Sequence, residues 1–148
     1  MTNHLIAANA VTRLNSIHCL DAIDLLNALW FAGVKVDCII TSPPYFGLRS
    51  YLPDNHPDKE KEIGLEQSMN AYIGNMRRVF RAAYRVLKDT GTLWLNLGDT
   101  YNGGGTGFGT KSRGKNNSPL RQKMERINKT PVLPDKCKMM IPHRVAIG

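Results

Sequence analysis

Apolar positions along this chain fall into short blocks whose spacing alternates between that of a helix and that of a strand. Ala22, Ile23, Leu25, Leu26, Leu29 and Trp30 recur on one helical face. Asp21 precedes them as a residue able to cap a helix N-terminus, and Gly33 supplies a stop. Val36-Asp37-Cys38-Ile39-Ile40-Thr41 is mostly apolar and β-branched and is cut off by Pro43-Pro44, the pattern of a central parallel strand covered on both faces. A polar stretch rich in Pro and charge runs from Gly47 to Gly64. The clearest helix follows, with Met69, Tyr72, Ile73, Met76, Val79, Phe80, Ala83, Val86 and Leu87 on one face and Arg77, Arg78, Arg81, Arg85 and Lys88 off it. Ser68 suits its N-cap, and Lys88-Asp89-Thr90-Gly91 reads as its C-terminal turn. Thr92-Leu93-Trp94-Leu95-Asn96-Leu97 is a further apolar strand.

Counting an initial strand from Asn15, the order is strand, helix, strand, long loop, helix, strand, long loop. Such alternation predicts an α/β fold: part of a doubly wound, Rossmann-like sheet with helices on both faces and right-handed crossovers. Three strands are visible, against about five or six in a usual sheet. Residues 1–148 therefore read as one incomplete domain, from which residues 102–130 stand apart as a flexible Gly/Lys/Arg-rich loop. The last stretch, from Leu133, resembles the start of another helix, with Ile141-Pro142 near its beginning.

Composition supports a folded chain with a polyanionic partner. Hydrophobic residues make up 42% and charged residues 22% of the 148, close to globular averages, so the chain can build a core. Its formal charge is +8. Between Lys111 and Lys129 stand Lys111, Arg113, Lys115, Arg121, Lys123, Arg126 and Lys129 against Glu125 alone, so six of those eight charges lie there, as in a loop that contacts phosphate. Cys19, Cys38 and Cys137 form no C-x-x-C pair, which excludes a disulfide scaffold and the familiar zinc spacings and suits a reducing, cytoplasmic location. His18, His56 and His143 have no ligand spacing, so no metal is expected. The first ten residues show no basic region ahead of an apolar run, so no signal sequence is expected, and no run approaches the ~20 apolar residues of a membrane span. Cys38, inside an apolar strand, is expected to be a small buried hydrophobe and not a nucleophile, and Trp30 and Trp94 are expected in the core.

The chemistry concentrates in Ser42-Pro43-Pro44-Tyr45, directly after an apolar strand. In a doubly wound sheet, ligands gather at the carboxyl ends of strands. Two prolines fix φ and remove two backbone donors, leaving rigid carbonyl acceptors beside the Ser42 hydroxyl. Two acceptors on the two protons of an exocyclic amino group favour a tetrahedral nitrogen and expose its lone pair, while Tyr45 offers a face for stacking on a base. Reaching such an amino group in a duplex requires flipping the nucleotide out. Asp99 closes a strand, where it either approaches a flipped base or forms a turn.

Thr41-Ser42-Pro43-Pro44-Tyr45-Phe46-Gly47-Leu48-Arg49-Ser50-Tyr51 resembles the target-base motif of amino-group DNA methyltransferases, which methylate N4 of cytosine or N6 of adenine. The segment from Asp21 to Leu26 is similar to the family's strand-ending G-D-C-L-E, with Leu20 for the Gly and Ala22 for the Cys. Val79 to Tyr101 resembles the next helix, strand and pocket-edge loop, and Lys138 to Ala146 the following helix start. The resemblance implies a methyltransferase sheet, S-adenosylmethionine as methyl donor, double-stranded DNA as partner and a site-specific enzyme of the restriction-modification kind. It assigns the target amino group to Ser42 and the Pro43 carbonyl, base stacking to Tyr45, proximity to the cofactor to Asp21 and the pocket edge to Asp99. Ser in the first motif position resembles the N4-cytosine branch.

Many members of this family run in a permuted order, with an F-x-G-x-G cofactor loop near the C-terminus. No F-x-G-x-G occurs in the 148 residues, and the glycines from Gly103 to Gly109 do not replace it, because no helix follows to offer its N-terminus. The chain is thus expected to be the N-terminal catalytic half of a permuted methyltransferase, completed by a C-terminal partner half. The rival is an inactive remnant that binds nucleic acid or a partner chain. Methylation of RNA or of protein glutamine fits less well, since such enzymes usually carry Asn in place of Ser42. Three strands with an open face should leave apolar surface exposed and the isolated chain poorly stable or associating.

Overall fold

The computed structural model describes residues 15–103 and 129–147. In chain order the elements are helix α1 (Ala22–Phe31), strand β1 (Val36–Thr41), a 3₁₀ turn (Lys59–Lys61), helix α2 (Met69–Val86), strand β2 (Leu87–Leu95) and helix α3 (Ile141–Ile147). They divide between two compact units, one formed by the chain up to Thr41 with Met76–Leu95, the other by Ser42–Asn75 with the chain from Asn96 onward.

The first unit is a small α/β assembly. Asp21 caps α1, its carboxylate accepting from the Ile23 and Asp24 N–H groups at 2.8 and 3.2 Å. At the other end, Gly33 takes φ +70 while its N–H bonds the Trp30 carbonyl and the Val34 N–H bonds that of Leu29, the paired bonds of a Schellman stop. β1 and β2 run parallel, one-to-one from Cys38↔Thr92 to Thr41↔Leu95. Lys35 Nζ donates to the Arg85 carbonyl at 2.8 Å, satisfying the C-terminal end of α2. The Arg85 guanidinium lies 4.8 Å over the Trp30 ring and bonds Asn27 Oδ1 at 2.6 Å.

Several expectations are corrected here. Residues 15–20 form no strand, so among the described residues the sheet has two strands, and Ile17 is fully exposed. Asp21 accordingly follows irregular chain and not a strand end. β1 is not covered on both faces: Ile40 is 81% exposed and Trp94, its partner across the ladder, 64%. Cys38 and Trp30 are exposed as well, not buried. A strand's apolar composition calls for cover, but only other elements supply it, and within the described residues they do not. Lys88-Asp89-Thr90-Gly91 is no helical turn either. α2 ends at Val86, and these residues fall within β2 as the extra length between the Val36↔Leu87 and Cys38↔Thr92 pairs.

The second unit is held by two polar nodes, one half-buried at Lys59 and one buried at Asn102, around a small apolar centre. Ser68 caps α2 as its hydroxyl accepts from the Ala71 N–H at 3.2 Å. Tyr72 and Phe46 are buried, with ring centroids 5.3 Å apart, and side chains of this size contribute about 1.5–3 kcal/mol each on burial. In the stretch after Phe46, Lys59 Nζ donates to Glu62 Oε2 at 2.8 Å and to the Leu52 carbonyl at 2.6 Å, and also to Ser50 Oγ. Asn102 is completely buried. Its amide donates to the Thr130 and Pro134 carbonyls at 3.0 and 3.2 Å and its Oδ1 accepts from the Thr130 N–H at 2.6 Å. Tyr101 bridges Lys138 in an antiparallel pair beside it, so the chain leaves and returns at one polar node on either side of residues 104–128.

Candidate active site

Thr41 pairs with Leu95 at the carboxyl end of the parallel ladder, so Ser42 and Asn96 both begin segments that leave that end. This is where α/β sheets assemble ligand sites. Ser42 is exposed and Pro43, Pro44 and Tyr45 are half-buried. Ser42 Oγ and the Tyr45 hydroxyl stand 3.4 Å apart, a long contact that brings the two polar ends of the tetrapeptide together.

Three residues from elsewhere in the unit hold this tetrapeptide. The Tyr72 hydroxyl, on α2, donates to the Pro44 carbonyl at 2.9 Å. Gly64, at φ +103, lies so close that a Cβ on it would meet the Tyr45 carbonyl oxygen at 2.9 Å, and its carbonyl accepts from the Gly47 N–H at 2.7 Å. Gly98 lies against the Tyr45 ring, where a Cβ would meet ring carbons at 2.7 and 2.8 Å. One part of the aromatic ring is thus seated on backbone.

Electrostatics separates the donor from its surroundings. Burial pushes the Tyr72 phenol far above its ordinary range, with the Glu66 carboxylate and Tyr45 adding to the effect, so it stays protonated and donating. At Glu62 burial alone would raise the carboxyl. The Lys59 ammonium and the Tyr51 N–H together outweigh it, and the group titrates below the usual range.

Of the residues singled out in the sequence, Ser42, Pro43, Pro44 and Tyr45 are contiguous, with Gly98 against the Tyr45 ring and only Ser42 exposed. Asp99 follows Gly98, but its carboxylate is turned to backbone: Oδ2 accepts from the Met140 N–H at 3.2 Å, and Oδ1 from those of Ile141 and Thr100 at 3.0 and 2.9 Å. Asp21 lies in the first unit as the α1 cap. Lys111, Arg113, Lys115, Arg121, Lys123 and Arg126 lie outside the described residues. Lys129, within them, makes an exposed ion pair with Asp135 at 3.6 Å. Sequence reasoning missed the parts played by Tyr72, Gly64, Gly98 and Asn102. Tyr72 carried the one signal, as the only phenol on the apolar face of α2, because a buried hydroxyl needs an acceptor.

A family model described as a DNA methylase matches residues 36–139, well over half of the chain. The chain belongs to the DNA methylase family. The Type II methyltransferase M.Cfr9I of Citrobacter freundii is 40% identical over 128 residues, which are 86% of this chain and 39% of that protein. M.XycI of Xanthomonas campestris pv. cyanopsidis is 41% identical over 129 residues, again 86% and 39%. M.SmaI of Serratia marcescens is 49% identical over 69 residues, 47% of this chain and 22% of the relative. The chain therefore spans about two fifths of the length of the first two relatives. No solved structure matches it.

Amino-methyltransferases of this family use S-adenosylmethionine as methyl donor. Among the described residues the donor set for that group is incomplete. Asp21, the nominated contact, has its carboxylate engaged by the two N–H groups of its own helix start. No helix among the described residues is long and apolar enough to cross a membrane.

Proposed function

We propose that this chain carries the base-holding part of a site-specific DNA methyltransferase that acts on an exocyclic amino group of a flipped base in double-stranded DNA. Supporting this is the Ser42–Tyr45 segment directly after β1, in which the Ser42 hydroxyl lies 3.4 Å from that of Tyr45 and the Tyr45 ring rests against Gly98. Ser42 Oγ and the Pro43 carbonyl accept the two protons of the amino group, drawing the nitrogen toward a tetrahedral shape with its lone pair turned out. Tyr45, seated on Gly98, stacks on the base. S-adenosylmethionine supplies the methyl group when bound. A lone pair exposed in this way would take the methyl group as the donor's S–CH3 bond breaks to leave S-adenosylhomocysteine, and one of the two amino protons would pass to solvent. The rate gain is one of positioning and needs no covalent enzyme intermediate.

Ser in place of Asp at the first motif position favours N4 of cytosine over N6 of adenine. The fold implied is the doubly wound methyltransferase sheet in a permuted chain order, one domain whose remaining strands and cofactor loop come from a C-terminal half. The basic segment between Lys111 and Lys129 fits phosphate contact, and the setting is the cytoplasm.

Methyl transfer from tritiated S-adenosylmethionine to unmethylated duplex DNA tests this, using the chain alone and mixed with the unmatched part of the Citrobacter enzyme. Label in DNA that disappears with Ser42→Ala and Tyr45→Ala, while non-specific DNA binding persists, is expected. Label unaffected by both substitutions would sink the assignment. DNA binding without transfer under either condition favours the inactive remnant.

A further inference from the structure

Ser42, Pro43 and Pro44 present three successive carbonyls, and the proline rings fix φ at two of them, so the direction of those carbonyls is left to ψ. At Pro44 that freedom is removed, because the Tyr72 hydroxyl donates to its carbonyl at 2.9 Å. Tyr72 has no exposed surface, and its ring is fixed against Phe46, so the hydroxyl cannot swing to water. Its raised pKa keeps it a donor through neutral and alkaline pH. The Pro43 carbonyl differs in that no described backbone N–H donates to it. It belongs to the peptide bond before Pro44, which carries no N–H of its own to turn inward.

We propose that Tyr72 is a positioning residue for methyl transfer: by holding the Pro44 carbonyl inward it sets the Pro43-Pro44 backbone, leaving the Pro43 carbonyl as the acceptor free for the target amino group. This rests on the function proposed above. Tyr72 touches no reacting atom; it acts through the peptide plane of Pro44. It also links the site to α2, since the same side chain that fills the apolar centre of the unit carries the donor.

Tyr72→Phe removes the hydroxyl and retains the ring against Phe46. In the 148-residue chain labelled at proline carbonyls, the Pro44 resonance should move to its unbonded position while the rest of the folded spectrum persists; an unmoved Pro44 resonance overturns the lock. In the tritium assay kcat should fall about tenfold, the equivalent of one buried hydrogen bond, with KM for DNA unchanged. An unchanged kcat, or a loss that only tracks the fraction of folded chain in a thermal melt, overturns the positioning role. A wild-type chain that transfers no methyl group under either condition fails the proposed function and with it this role, whereas the carbonyl resonance still decides whether the lock exists.

Discussion

The Asp99 carboxylate accepts from the N–H groups of Met140 and Ile141 at 3.2 and 3.0 Å, tying the segment after β2 to the residue before α3 and to its first residue across more than forty residues of chain. First-turn N–H groups have no partner within a helix, and an acidic side chain there satisfies them and complements the helix dipole. Asp99→Ala should therefore lower stability by about 1 kcal/mol, read as a lower urea midpoint, with Asp99→Asn recovering part of it. If Asp99 instead acts on the base, methyl transfer will fall in both variants by far more than stability does.

Gly98 sets the position of Tyr45. A methyl group at residue 98 would stand 2.7 Å from the ring, and the ring, not the backbone, is the part free to yield. Gly98→Ala is expected to leave the melting temperature nearly unchanged and to lower methyl transfer about hundredfold, the cost of misplacing a reacting group by around an ångström. Gly98→Ala with full activity would show that the seat is dispensable.

The Lys59–Glu62 pair makes the stretch between Gly47 and Gly64 acid-sensitive. The Glu62 carboxyl titrates below its unfolded value, so the unfolded chain binds the extra proton first as pH falls. The stabilisation is present above about pH 4.3, the ordinary glutamate value, and is lost as pH falls through the folded value. The protection of the Tyr51 amide, which donates to Glu62, relative to its unfolded exchange rate at the same pH should fall over that window. Lys59→Met leaves a side chain that is only 4% exposed with an uncompensated charge, and should destabilise this stretch by about 3 kcal/mol at neutral pH. Equal exchange rates in wild type and variant would remove the pair from the account.

Much of the local structure was legible in the sequence. Asp21 and Gly33 bound α1, Ser68 caps α2, and Pro142 lies in the first turn of α3. Each of these is settled within a few residues, by which side chain can reach an orphan N–H or which residue tolerates positive φ. The Ser42-Pro43-Pro44-Tyr45 motif was legible for the same reason, because its rigidity and its acceptors are covalent properties of four adjacent residues.

What lay beyond the sequence are the relations between distant segments. The sequence alone determined both limits of α1, the start of α2, the run of β1 and the kind of chemistry that residues 42 to 45 can support. Only the tertiary structure decided that Tyr72 bonds Pro44, that Gly98 seats Tyr45, that Asp99 faces α3 and that Asn102 joins the chain on both sides of residues 104–128. It also decided that Cys38 and Trp94 face solvent despite their strand setting. The physical reason is that burial and hydrogen bonding at a given side chain depend on which remote elements arrive beside it, and a residue's own neighbours in sequence carry no record of that.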